Sequence, residues 1–148
     1  MADLVTTLTE SVTLNGAIRG TTNSVTTTGI NDVFERIVTC TQGQTTTVAV
    51  FDTFPYSSAG AIDVDRTKYI RVTNLDTTNS IELAVVATTS VVITLTAGNS
   101  CVLSKGSAII RGSGSSTPTF GGASDLTSLQ IKPLTANDAR VEIFVGLS

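Results

Sequence analysis

Ile81-Glu82-Leu83-Ala84-Val85-Val86 and Val91-Val92-Ile93-Thr94-Leu95-Thr96 decide the fold. In the first run Ile81, Leu83 and Val85 alternate with Glu82, Ala84 and Val86. In the second, after Ala87-Thr88-Thr89, Val91, Ile93 and Leu95 alternate with Val92, Thr94 and Thr96. A period of two puts one set of side chains on each face of an extended chain, the pattern of a half-buried strand.

The same rhythm extends in both directions. Upstream, residues 69–74 place Ile70 and Val72 on one face, and Leu75-Asp76-Thr77-Thr78-Asn79 turns. Residues 33–40 and 45–52 read as a hairpin joined by Thr41-Gln42-Gly43-Gln44. Phe54-Pro55-Tyr56-Ser57-Ser58-Ala59-Gly60 reads as a loop, because proline and glycine punctuate it. Downstream, Ala97-Gly98-Asn99 breaks the pattern and Cys101 and Leu103 restart it, with a continuation expected at residues 108–111. Residues 112–124, rich in Gly, Ser and Thr, read as a long exposed loop. Leu129 and Ile131 mark a strand ended by Pro133. Residues 134–139 form a polar turn with room for one helical turn. Val141, Ile143 and Val145 then face inward while Phe144 points outward.

Residues 1–30 differ from the rest. They hold no aromatic residue, and Leu4, Val5, Leu8, Val12 and Leu14 are their apolar points. Asn15-Gly16 is a turn signal, since both residues tolerate positive φ. The segment is either an arm reaching a neighbouring subunit or the first hairpin of the sheet. Residues 31–148 form one domain. No stretch of ten residues carries a clean 3.6-residue period. Eight to ten short strands, with little or no helix, point to an all-β antiparallel sandwich of jelly-roll type.

Composition agrees. The chain has 27 threonines and 15 serines in 148 residues, no histidine and no tryptophan. Threonine and valine are β-branched and suit a pleated surface. Charged residues make up 14 %, below the usual ~25 %. A surface covered by hydroxyls has little electrostatic defence against association, which favours a homo-oligomer.

Little here suits catalysis or metal binding. Nucleophilic catalysis wants a base beside the nucleophile, and histidine is absent. Ser104-Lys105 reads as a solvated lysine at a strand end. Asp63 and Asp65 alternate by two, but twelve acids make such pairs inevitable. Those two with Asp76 lack the loop pattern of a calcium site. Gly112-Ser113-Gly114 and Gly121-Gly122 precede strand-like sequence rather than the helix a phosphate loop needs. No cofactor is expected, and the chain is expected not to be an enzyme. Cys40 and Cys101 read as two free thiols.

Net charge is −3, and only Arg66, Lys68 and Arg71 cluster among nine cations, so no nucleic-acid partner is expected. The longest apolar run, Leu83 to Ala87, is far short of a membrane helix. Met1-Ala2-Asp3-Leu4-Val5-Thr6-Thr7 lacks the basic and apolar stretches of a signal peptide, so synthesis in a cytoplasm is expected. Phe54, Tyr56, Tyr69, Phe120 and Phe144 are the aromatics that could stack a sugar. Phe54 and Tyr56 read as a loop anchor packed back on the core.

Tyr69-Ile70-Arg71-Val72-Thr73-Asn74-Leu75-Asp76, Thr77-Thr78-Asn79-Ser80-Ile81-Glu82-Leu83 and Leu95-Thr96-Ala97-Gly98-Asn99-Ser100-Cys101-Val102-Leu103 together carry a resemblance. Their texture is similar to the small β-sandwich virion proteins of tailed bacteriophages, among them capsid decoration (cement) proteins and some tail or fibre components. The resemblance implies a protein of the virion that binds between major capsid subunits, often as a trimer, and has no catalytic residues. Contacts are then expected at Leu4, Val5, Leu8, Phe120 and Phe144. The rivals are a tail, knob or fibre component that touches the host surface, a carbohydrate-binding module and a small hydrolase.

Overall fold

The computed structural model describes residues 1–57, 59–88, 90–104 and 126–148. The expected loop at 112–124, the continuation at 108–111, Lys105 and Phe120 lie outside the described residues. Thirteen strands are described: β1 (Ala2–Thr9), β2 (Val12–Leu14), β3 (Ala17–Arg19), β4 (Thr22–Ile30), β5 (Asp32–Cys40), β6 (Thr46–Asp52), β7 (Ile62–Asp63), β8 (Thr67–Asn74), β9 (Ile81–Val86), β10 (Val91–Leu95), β11 (Ser100–Ser104), β12 (Ser128–Pro133) and β13 (Ala139–Leu147).

Eight of them form the sandwich. One sheet has the order β11-β8-β13-β5, the other β10-β9-β12-β6, with the two-residue β7 added at the β6 edge. Except at the β9–β10 hairpin and β7, the chain changes sheet at each step between β5 and β13. This strand order is that of the jelly roll, an eight-stranded double sheet built of two Greek keys.

The alternation seen in the sequence is what fills the space between the sheets. Ile81 and Leu83 from β9, Leu129 and Ile131 from β12, and Val141, Ile143 and Val145 from β13 are almost wholly buried. Cross-strand register stacks them: Ile131 lies opposite Leu83, and Ile143 opposite Val72. Each such side chain contributes about 1.5–3 kcal/mol by leaving water.

Three expectations are corrected. Residues 33–40 and 45–52 are not a hairpin. The two strands lie in different sheets, because β5 pairs with β13 and β6 with β12, and residues 41–45 carry the chain across the sandwich. Residues 134–138 make a bend without helix, tied by the Leu134 amide donating to Ser80 O. Among the described residues the one helical turn is a 3-10 turn at Pro55–Ser57. That turn aims Phe54 and Tyr56 outward instead of onto the core. They are 58 % and 87 % exposed and meet edge to face at 5.9 Å.

The two cysteines sit on opposite edges of one sheet, Cys40 on β5 and Cys101 on β11. Three strand spacings of about 4.8 Å separate those edges by roughly 14 Å, beyond the reach of a disulfide. Burial pushes both thiols above their ordinary pKa, and for Cys40 a hydrogen bond with Thr46 works weakly against it.

Candidate interaction surface

Residues 1–30 form a two-stranded ribbon, the arm, that joins neither sheet of the sandwich. β1 pairs antiparallel with β4, and β2 with β3 beyond them. The tip is the two-residue turn Asn15-Gly16, whose φ angles of 52° and 78° match the twist of a tight hairpin. Gly20 marks a kink midway along, with φ 138° and the Glu10 carbonyl so close that a Cβ would collide with it. There Glu10 N donates to Thr21 O at 2.9 Å.

The two faces of the ribbon differ. Val5, Thr7 and Thr9 lie opposite Thr26, Ser24 and Thr22. Hydroxyls link across this face, Thr7 to Ser24 at 3.0 Å and Thr9 to Thr22 at 3.3 Å. On the other face Leu4, Thr6 and Leu8 lie opposite Thr27, Val25 and Asn23. That is the apolar face.

The root of the arm packs on the outer face of the β11-β8-β13-β5 sheet. Ile30 and Tyr69 are buried there, although neither belongs to the core between the sheets. The missing side chain of Gly146 makes the room: a Cβ on it would meet Ile30, Tyr69 and Leu4. Lys68 Nζ donates to Thr28 O at 3.2 Å, and Asn31 N to Leu147 O at 2.8 Å. Beyond the root the arm stands clear, and residues 7–26 are all exposed. Leu8 is 62 % and Val25 53 % exposed, and Val12, Leu14 and Ile18 are exposed as well. An isolated two-stranded ribbon is marginal in water at best. Its apolar side chains gain only when another surface covers them.

The outer sheet face continues the surface. Phe144 does point outward, as its place in the sequence requires, but it is half-buried. Tyr69 meets its ring edge to face at 6.0 Å, and the Arg71 guanidinium lies 5.8 Å from its centroid. Arg71 also pairs with Glu142. Around this group Val33, Ile37 and Val102 are exposed. Of the expected contact residues, Leu4 lies at the root, Val5 on the hydroxyl face and Leu8 on the free apolar face. Leu4 and Phe144 meet the same buried Tyr69–Gly146 neighbourhood. Val25, Val33 and Ile37 share this exposed surface, and a single valine or isoleucine among threonines and charges does not reveal in the sequence which face it takes.

The remaining chemical candidates are engaged in structure. Asp63 Oδ1 accepts the amides of Asp65 and Arg66 at 3.0 and 3.4 Å. Asp76 accepts the amides of Thr78 and Asn79, both at 2.9 Å, and these bonds lower its pKa from 3.8 to about 2. Arg66 bonds Ser148 O, so each member of the one cationic cluster has a partner within the chain. Among the described residues, no group of three or more His, Cys, Asp or Glu is arranged to hold a metal ion. No helix among them is long and apolar enough to cross a membrane.

No family model matches the chain, and no match was found among the curated proteins or the solved structures.

Proposed function

We propose that this chain is a non-enzymatic structural protein of a tailed-phage virion. Within that class it acts as a capsid decoration protein that binds between major capsid subunits and reinforces the shell. The observation that carries the reading is the arm: an ordered ribbon, exposed from residue 7 to residue 26, with an apolar face that its own domain leaves uncovered. The resemblance of residues 69–103 to small phage virion proteins supports it. The jelly roll supports it by analogy alone, since capsid and lectin domains both use this architecture.

The mechanism is mass action. A protein that binds across a joint between shell subunits, and not to the separated subunits, stabilises the joint in proportion to its occupancy. The sandwich supplies a rigid platform and the arm supplies adhesive area. Purified protein is expected to co-sediment with phage capsids stripped of their outer proteins. Removal of residues 1–14 is expected to abolish docking and leave the sandwich folded. Full-strength docking by the truncated chain would remove the arm from the account.

The exposed Phe54–Tyr56 pair favours a second reading, in which a loop surface stacks a sugar ring on the host surface, as a fibre component or carbohydrate-binding module would. That reading predicts glycan-array binding that disappears in Tyr56→Ala, and antibodies against the protein that block adsorption to cells.

A further inference from the structure

We propose that the arm docks on a second copy of this chain, along the outer face of the β11-β8-β13-β5 sheet. This rests on the adhesive role just assigned to the arm: the arm holds copies together, and the assembly so formed is what meets the capsid.

The contact already exists in miniature within one chain. At the root, Leu4 and Ile30 of the arm meet Gly146 and Tyr69 of the outer sheet face. From there both surfaces run on unpaired. The apolar face of the arm continues through Leu8 and Val25, and the sheet face through Val33, Ile37 and Val102. All five side chains are exposed, so within one chain neither surface covers the other. Each needs a surface like the one that its partner supplies at the root, and a neighbouring copy presents it.

Size and charge agree. One face of the 24-residue ribbon 5–28, with the sheet face that receives the neighbour's arm, supplies about the 20–30 residues that a standard interface uses on each side. The arm carries only Asp3, Glu10 and Arg19 as charges. On the sheet face Arg71 and Glu142 already neutralise each other, and Glu35, which lies between Val33 and Ile37 opposite Phe144, stands on the edge strand β5 where it can stay in water. An arm given to a neighbour and another received in return closes a symmetric pair, and arms passed in one direction close a ring.

The test is molar mass by light scattering on the full chain and three variants. The wild-type chain is expected to run at a multiple of 15.3 kDa. Leu8→Glu with Val25→Glu on the arm, and Ile37→Glu or Val102→Glu on the sheet, are expected to fall to 15.3 kDa with unchanged circular dichroism, because all four side chains are exposed in the monomer. Hydrogen exchange at residues 4–9 and 22–27 is expected to be slow in the wild-type assembly and fast in the arm variant. A wild-type chain of 15.3 kDa at every concentration, or an assembly that survives the arm variant, would overturn the proposal. Capsid docking is scored separately. An assembly that sticks to no capsid supports arm exchange and retires the decoration role. A monomer that still docks retires arm exchange alone.

Discussion

Ile30 lies over Gly146 so closely that a Cβ on the glycine would stand 3.3 Å from its Cδ1. This contact fastens the arm to the sandwich. Gly146→Val must displace Ile30 and crowd the Tyr69 Cβ. Overpacking of this kind costs about 1–3 kcal/mol. The melting temperature is expected to drop, and the amides of residues 27–31 are expected to lose protection first. An unchanged melting temperature would mean that the root yields freely.

Asn74 is the one wholly buried polar side chain among the described residues. Its Nδ2 donates to Asn79 O at 2.8 Å and Leu95 O at 3.2 Å, and its Oδ1 accepts the Asp76 amide at 3.1 Å. It ties the turn after β8 to the end of β10. Asn74→Ala orphans these groups, and each one left buried without a partner costs about 1–3 kcal/mol. Urea denaturation is expected to show a loss of at least that size. Thr73→Ala, which removes an exposed hydroxyl pair with Ser100, is expected to cost much less.

The Asp76 carboxylate gives the fold an acid limb. Its pKa falls from 3.8 to about 2 on folding, first through the Thr78 amide, then through the amide and side chain of Asn79. A depressed folded-state pKa contributes stability that is fully present above the unfolded value and is lost as pH falls towards the folded one. Wild-type stability is therefore expected to decline between pH 3.8 and about 2. Asp76→Asn is expected to flatten that decline while lowering stability at neutral pH.

How much of this was legible depended on the range of the interaction. The β9–β10 alternation, the inward row Val141, Ile143, Val145 and the Asn15-Gly16 turn are local features, and sequence carries them directly. The jelly-roll order is not local. β5 finds its partner in β13, which pairs Cys40 with Ala139 and leaves β6 to the other sheet. A hairpin reading of residues 33–52 therefore failed, because a short glycine-containing link can serve a hairpin or a corner between sheets. The same limit hid which face of the arm each residue takes. Leu4 and Val5 are sequence neighbours, yet one is held at the root and the other stands among hydroxyls, and only the register with β4 separates them.

Cys40 and Cys101 are expected to stay reduced within one molecule. Their strands bound opposite edges of the sheet, and burial raises both thiols, so neither is a ready thiolate at neutral pH. The melting temperature is expected to be the same with and without reductant. A thiol reagent is expected to label the half-buried Cys101 slowly in the native protein and the wholly buried Cys40 only after denaturation.

The most direct test of the adhesive role is the melting temperature of stripped phage capsids with and without the purified protein. The account predicts co-sedimentation and a rise that saturates with added protein, and neither for the chain lacking residues 1–14. No binding and no shift at saturating concentration would contradict it.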